Sequence, residues 1–380
     1  MTFSNVSFGD VTDNFDKKRI PLSAAQREKR QGKYRYYGAQ GVIDWVDDYI
    51  FDGTYLLIAE DGENLKSKKS NIAQLASGKF WVNNHAHVIQ CKKGYDIRYL
   101  CYLINLTDLS GYITGSAQPK LSQSSMNAIV LPMPKFEIQK EVADFIEKFD
   151  KKIQINEKVN DNLEQQAATY FQELFINNAN PVWQISTISD LGTVVGGSTP
   201  SKTKPEYYTN NGIAWITPKD LSINKSKFIS HGENDITELG LKNSSATVMP
   251  KGTVLFSSRA PIGYIAIASN EVTTNQGFKS VIPYSEIGTA FVYFFLKHSL
   301  PVIESAASGS TFKEISGSAM KNIPAIIPDR NTLDQFNSFC APIFAQQKIL
   351  EEQNHSLAML RDSLLPKLMS GAIDIASIQI

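Results

Sequence analysis

Lys66-Ser67-Lys68-Lys69 places three ammonium groups in four residues, and the chemistry open to them is phosphate binding. Arg35 and Tyr36, ahead of the Tyr37-Gly38 turn, offer a guanidinium and a phenol, donors that can reach base edges. Gln118 and Lys120 sit in a Gly-Ser loop, and Thr311 and Lys313 read as their counterparts in a second such loop. Lys202, Lys204, Tyr207 and Tyr208 combine charge with aromatic rings just after a flexible Gly196-Gly197, and Lys219 and Arg259 extend the set. Each has a plainer use open to it, as a solvated loop charge or a turn that closes a domain. Trp215, with apolar neighbours, reads as core.

Catalytic chemistry finds less support. His85 and His87 would point the same way on a strand, a spacing that can bind metal. No third ligand cluster accompanies them, so hydrogen-bonded structural histidines are the better reading. Asn83, and Asn275-Gln276 at the matching place, could read adenine or hold the backbone together. Glu60-Asp61-Gly62 followed by Lys66 and Lys68 faintly resembles a nuclease site, but acidic residues beside a turn are common. No G-x-x-x-x-G-K-[ST] loop occurs, and neither does a glycine-rich cofactor loop with an Asn/Asp-Pro-Pro-aromatic string. Cys91, Cys101 and Cys340 lack C-x-x-C spacing and read as small buried hydrophobes in a reducing cytoplasm.

The elements that must position these residues follow from composition and repetition. Apolar content of 42% and charged content of 20% over 380 residues fit two globular domains. No apolar run is long enough to span a bilayer, and the N-terminus has no export pattern, so no membrane partner is expected. Net charge is zero, but it alternates along the chain. Residues 1–135 carry 17 basic against 13 acidic groups and residues 181–328 carry 12 against 10, whereas 136–180 carry 5 against 9 and 329–380 carry 4 against 6.

The chain also repeats itself. Gly115-Ser116-Ala117-Gln118-Pro119-Lys120-Leu121 resembles Gly309-Ser310-Thr311-Phe312-Lys313-Glu314-Ile315, and each leads to an apolar stretch ending in proline, Ile129–Pro132 and Ala325–Pro328. Tyr55–Ala59 answers Thr253–Ser257, and Val82–His85 answers Thr274–Gly277. A tandem duplication accounts for these registers. Each repeat is a β-rich block with one short helix, Ile97 to Leu106 or Ala290 to His298, followed by a long helical stretch.

Both long stretches carry heptad seams. One reads Val142, Phe145, Phe149, Ile153, Asn156, Asn160, Leu163, Ala167, Tyr170 and Leu174. The other reads Phe336, Phe339, Ile343, Gln346, Leu350, Gln353, Leu357, Leu360 and Leu364. Such a seam suits a helix partner, and the simplest partner for each is the other. Rods of about 35 residues reach about 50 Å, so domain centres about 35–50 Å apart would span roughly one to one and a half turns of B-DNA. Pro366 predicts a kink or a stop near Leu365, with Gly371 as the C-terminal cap.

At this point the chain resembles the DNA-specificity subunit of Type I restriction–modification systems, over almost its full length. Gly196-Gly197-Ser198-Thr199-Pro200-Ser201-Lys202 with Tyr207-Tyr208 and Ile213–Leu221 is similar to a frequent opening of the family's recognition domains. Tyr36–Gly41 and Leu56–Gly62 are similar to one variety of first domain, and Leu364–Gly371 to the family's closing motif. The resemblance implies an α+β fold: target-recognition domain 1 (1–135), a central helical spacer (136–180), target-recognition domain 2 (181–328) and a C-terminal helical spacer (329–380). The two helices would pair as an antiparallel coiled coil, giving the tandem repeat a pseudo-twofold. It further implies a non-catalytic subunit that reads a bipartite target in double-stranded DNA. Two methyltransferase subunits using S-adenosylmethionine, and a restriction/translocation subunit using ATP and Mg, would be its partners, with no cofactor bound by this chain. A coiled-coil adaptor that binds only protein, a methylation-only system, and a DNA-modifying enzyme are the competing readings.

Overall fold

The computed structural model describes residues 2–116, 118–309, 313–375 and 378. Two compact units emerge: one runs to Lys152 and takes in the chain from Leu357 onward, and the other runs from Ile153 to Ser356.

In the first unit β1 (Phe3–Ser7) pairs antiparallel with β8 (Val130–Pro134). Between them β2 (Thr12–Asn14), β3 (Gln31–Gly38), β4 (Gly41–Val46), β5 (Phe51–Ala59), β6 (Ala73–Val82) and β7 (Ala86–Cys91) form one sheet in the order β2-β7-β5-β6-β3-β4. β5 lies between two neighbours and is covered on both faces, so Leu56, Leu57 and Ile58 are consecutive yet all buried. The short helix Ile97–Leu106 begins where Asp96 accepts the backbone N–H groups of Arg98 and Tyr99. Its Tyr99, Leu100, Leu103 and Ile104 join the sheet core, as do Leu368 and Met369 from the end of the chain.

In the second unit β9 (Gln184–Thr187) pairs with β19 (Pro324–Ile327). A five-stranded sheet follows the order β10 (Gly192–Gly196), β18 (Lys279–Pro283), β15 (Val254–Ser258), β16 (Ile262–Ala268), β13 (Phe228–Ile229). A four-stranded sheet follows the order β11 (Tyr208–Thr209), β14 (Asn234–Ile236), β12 (Ile213–Ile216), β17 (Thr273–Thr274). The helix Thr289–His298 contributes Phe291, Phe294 and Phe295 to the core around Phe336.

The duplication is visible bond by bond. Thr114 and Lys120 exchange backbone hydrogen bonds of 2.9 and 2.8 Å, and Ser308 and Glu314 exchange bonds of 3.0 and 2.9 Å. The next residue bonds back to the strand end in both units, Leu121 to Glu60 and Ile315 to Ser258. Gly115 and Gly309 both adopt positive φ, 84° and 115°. Ser122 and Ser316 cap the short helices Gln123–Asn127 and Gly317–Lys321. Asn83 and Asn275 each accept the N–H two residues on. This register corrects one expectation: the counterpart of Lys120 is Glu314, and Lys313 matches Pro119. Thr311 lies outside the described residues.

The long helices span Phe136–Gln172 and Arg330–Met369. The first passes into a π-helical turn at Glu173–Asn177. Within the second unit their side chains meet in antiparallel register. Asn156 donates to Asn354 at 2.9 Å, Asn160 to Glu351 at 3.2 Å, and the Tyr170 ring stands 4.5 Å from Phe339 and 6.0 Å from Phe336. Within the first unit Arg361 donates to Asp150 at 2.6 Å, and Phe149, Leu357 and Leu364 share one core.

The first seam holds at Val142, Phe145, Phe149, Asn156 and Ala167, which are all buried, but at its far end Phe171 and Phe175 are the buried pair and Tyr170 and Leu174 are half-buried. The second is displaced at its polar positions. Phe336, Cys340, Ile343, Gln347 and Leu350 are the buried set, whereas Phe339 and Leu360 are 40% and 49% exposed. Phe339 reaches Tyr170 from the rim.

Pro366 neither stops nor restarts its helix, which continues to Met369, and Pro342 lies inside the same helix. Proline forfeits one N–H bond, but here it sits in the final turn, beside Leu368 and Met369, which are 0% and 4% exposed and anchor the turn. Gly371, with φ 72°, does end it. Among the described residues, no helix is long and apolar enough to cross a membrane.

Candidate nucleic-acid interface

The end of β5 and the loop it meets form the first candidate surface. Glu60 receives Arg19 at 2.8 Å and Lys120 at 3.2 Å. Beside them His87, 1% exposed, has Nδ1 2.6 Å from Asp16 and Nε2 2.8 Å from the Leu121 carbonyl. Asp16, Glu60 and His87 bring ligand-type atoms within 4.8 Å, yet each is already bonded to a cation, a carboxylate or a carbonyl. Burial works to raise both carboxyls, but His87 and Asn14 hold Asp16, and Arg19 holds Glu60, below the usual range. The group therefore ties the Asp16 turn, β7 and residues 120 and 121 together through hydrogen bonds and the ion pairs of Glu60 with Arg19 and Lys120. His85, with a side chain 47% exposed, has its Nδ1 2.8 Å from an Asp61 carboxylate oxygen.

Lys66 donates to the carbonyls of Gly115 and Ser116 at 3.1 Å, and Lys68 to that of Thr107 at 2.9 Å. Both ammonium groups fasten loops and remain exposed, as do Lys69 and Gln118. Arg35 is exposed on β3. Tyr36 is not a contact residue: it is 0% exposed, and its hydroxyl accepts the Leu22 N–H at 2.8 Å. Alternation along β3 turns its ring inward while Arg35 faces out.

In the second unit Gly197 serves close approach rather than flexibility. A Cβ there would stand 1.9 Å from the Asn275 carbonyl oxygen. That contact seats the Ser198–Lys202 segment, where Trp215 donates to Ser198 at 2.9 Å and Tyr208 to Pro200 at 2.6 Å. Trp215 is 5% exposed and is core, as expected. Tyr207 and Tyr208 are half-buried, while Lys202, Lys204, Lys219 and Lys313 are exposed. Lys219 pairs with Glu233 at 2.6 Å, and Lys204 lies 3.8 Å from Glu206. Arg259 pairs with Glu314 at 3.3 Å. Equivalent places thus carry opposite charges: Lys120 answers an acidic strand end in one unit, and Glu314 answers a basic one in the other.

A buried network was not legible from spacing. Lys227, just before β13, inserts its ammonium between the carboxylate of Glu164 and the amide oxygen of Gln347. It also lies 4.1 Å over the Phe344 ring and 4.7 Å over Tyr293. Glu164 accepts further bonds from Lys297 at 2.5 Å and Tyr293 at 3.2 Å. Glu351 accepts the backbone N–H groups of Lys227 and Phe228 at 2.8 and 3.0 Å. Burial lowers the Lys227 ammonium and raises the Glu351 carboxyl. Glu164 is also pushed up by burial, but Lys227 and Lys297 hold it below its usual value. In the first unit Arg98 bonds Asp144 and Glu147 at 2.7 and 2.8 Å, and Tyr102 bonds Asp150 at 3.0 Å. Arg98 in one block, and Lys227 and Lys297 in the other, thus meet acidic residues of the long helices. Cys101 and Cys340 are buried and Cys91 half-buried; burial pushes all three thiols up to about 12.

Comparison with known proteins gives these surfaces a context. A family model described as the Type I restriction modification DNA specificity domain matches residues 2–165 and again 181–354. The MjaIX Type I restriction enzyme specificity subunit of Methanocaldococcus jannaschii is 43% identical over 162 residues, which cover 42% of this chain and 37% of that protein. The HindI specificity subunit of Haemophilus influenzae is 23% identical over 454 residues, covering 98% of this chain and 95% of the relative. A crystal structure of the Type I restriction–modification S subunit from M. genitalium shares the fold, with a TM-score of 0.62 at 15% identity over 97% of this chain and 96% of that one.

Proposed function

This chain belongs to the family of Type I restriction modification DNA specificity domains, and we propose that it reads a bipartite DNA target, one half-site per recognition domain. The observation that carries the reading is one scaffold built twice with different exposed chemistry. The strand-end loops share their hydrogen bonds, yet Lys120 in one is Glu314 in the other, and Asp61, bridged to the first, is replaced by Arg259, bridged to the second. Two similar scaffolds with unlike surfaces fit two unlike half-sites.

The chain contributes recognition and scaffolding, and catalysis comes from partners. Two methyltransferase subunits would dock on the helical regions and donate methyl groups from S-adenosylmethionine to adenine. A restriction/translocation subunit using ATP and Mg would join them in the cytoplasm. The long helices would act as a ruler that fixes the unspecified gap between the half-sites. Acidic helix residues committed to ion pairs with each block (Asp144, Glu147 and Glu164) support a stiff junction between block and ruler. The test is co-expression with methyltransferase subunits, followed by methylome sequencing. One split motif, altered in a single half when residues 1–135 are exchanged, supports the reading; a contiguous motif or none refutes it.

A further inference from the structure

Among the described residues β4 is an outer strand whose one strand neighbour is β3. Outer strands ordinarily discourage contact with charge or small size. This one instead exposes Val42, Ile43 and Trp45 by 42%, 52% and 47%. The β3–β4 pairing shifts register twice, between Gln31 and Tyr34 and between Tyr36 and Tyr37, which twists the ribbon and re-aims its side chains. Arg35 pairs directly across from Trp45, with its guanidinium 5.9 Å from the indole centroid. Lys33 lies 5.4 Å over Tyr34, and Lys79 lies 4.5 Å over Tyr49.

Charge decides what this ribbon fits. Its own carboxylate, Asp44, pairs with Arg27 at 2.8 Å; just past its end Asp47 pairs with Arg30 at 2.9 Å, and Asp48 accepts the Tyr49 N–H at 2.8 Å. Lys33 and Arg35 hold ring contacts and no carboxylate among the described residues. An apolar protein face would bury these cations without a counter-charge, which is costly. Double-stranded DNA satisfies both features: phosphates suit Lys33 and Lys79, and thymine methyl groups suit Ile43 and Trp45. A two-stranded ribbon fits the major groove, where arginine bonds guanine in bidentate fashion.

We propose that the β3–β4 ribbon is the base-reading element of the first recognition domain, with Arg35 as its specifying donor. The proposal rests on the specificity-subunit reading above and names where that reading acts. The experiment uses the full complex with methyltransferase subunits and compares Arg35→Ala, Arg35→Lys, Trp45→Ala and Lys33→Ala with wild type. Arg35→Ala is expected to lower methylation of the native motif at least tenfold and to relax the sequence of one half-site only. Arg35→Lys should keep binding yet stay relaxed, because lysine cannot make the bidentate contact. Trp45→Ala should weaken methylation at that same half-site. Lys33→Ala should weaken all sequences alike and reduce the salt slope by about one.

An unchanged motif at unchanged rate in an Arg35→Ala/Trp45→Ala variant overturns the proposal while leaving the bipartite reading intact. A uniform loss in Arg35→Ala with no relaxation overturns base reading by Arg35. Failure of the variants to assemble with methyltransferase subunits overturns it in favour of a protein-docking face. A wild-type complex that methylates no split motif sinks the underlying reading, and this inference with it.

Discussion

Replacing Lys227 by methionine tests whether the buried ionic junction holds the second unit together. Methionine keeps the length and apolar stem but removes the charge from a side chain that is only 6% exposed. Removing one partner of a buried pair costs about 3–5 kcal/mol, because the remaining charge is left uncompensated. Here Glu164 keeps Lys297 at 2.5 Å and Tyr293 at 3.2 Å, which places the cost at about 3 kcal/mol. For a unit of this size that corresponds to a fall in Tm of about 6–12 °C. Removing both charges, in Lys227→Met/Glu164→Leu, should recover most of the loss, since apolar replacement of a buried pair is often neutral.

The assay is urea unfolding with hydrogen exchange read at Phe228–Ile229 and Thr289–His298, the elements the network joins. A loss below about 0.5 kcal/mol, or a double variant as unstable as the sum of the singles, would show that the ionic junction does not hold the unit together. The pH dependence has a fixed sign. Glu164 is held below its usual value of 4.5, so it stabilises the fold above that pH and loses this contribution as pH falls through its folded value. The advantage of wild type over Glu164→Gln should therefore shrink on acidification below 4.5. Glu351, raised by burial, acts oppositely: its unfavourable share grows as pH rises from its unfolded toward its folded value.

Two further outcomes follow from the geometry. Inserting or deleting one helical turn between Asn156 and Leu174 should change the gap in the methylated motif and leave both half-sites intact; altered half-sites with an unchanged gap would defeat the ruler. Gly197→Ala should destabilise the second unit by about 2 kcal/mol or more in urea unfolding, because its Cβ meets backbone oxygen at 1.9 Å and the backbone must shift; a neutral variant would show that the Ser198–Lys202 segment can move away freely.

The parts of the fold legible in the sequence were those fixed by local chemistry. Gly115 and Gly309, Asn83 and Asn275, and Ser122 and Ser316 punctuate turns through bonds only a few residues long, so the duplication showed through. The central helix seam was legible from Val142 to Ala167 and slipped by one residue at its end, where Phe171 and Phe175 are buried beside the half-buried Tyr170 and Leu174. The second seam was misread where it buries Cys340 and Gln347, residue types that apolar spacing passes over in favour of Phe339 and Gln346. Lys227 was illegible because its partners Glu164 and Gln347 lie far off in sequence and only folding joins them. Pro366 misled in the other direction, since Leu368 and Met369 hold the last turn.

The proposed bipartite recognition has two unlike blocks reading two unlike half-sites across a fixed gap. Single-molecule methylome sequencing of host cells with and without this gene tests it most directly. One split adenine-methylated motif is expected to disappear with the gene and to return on complementation. An unchanged methylome would contradict it.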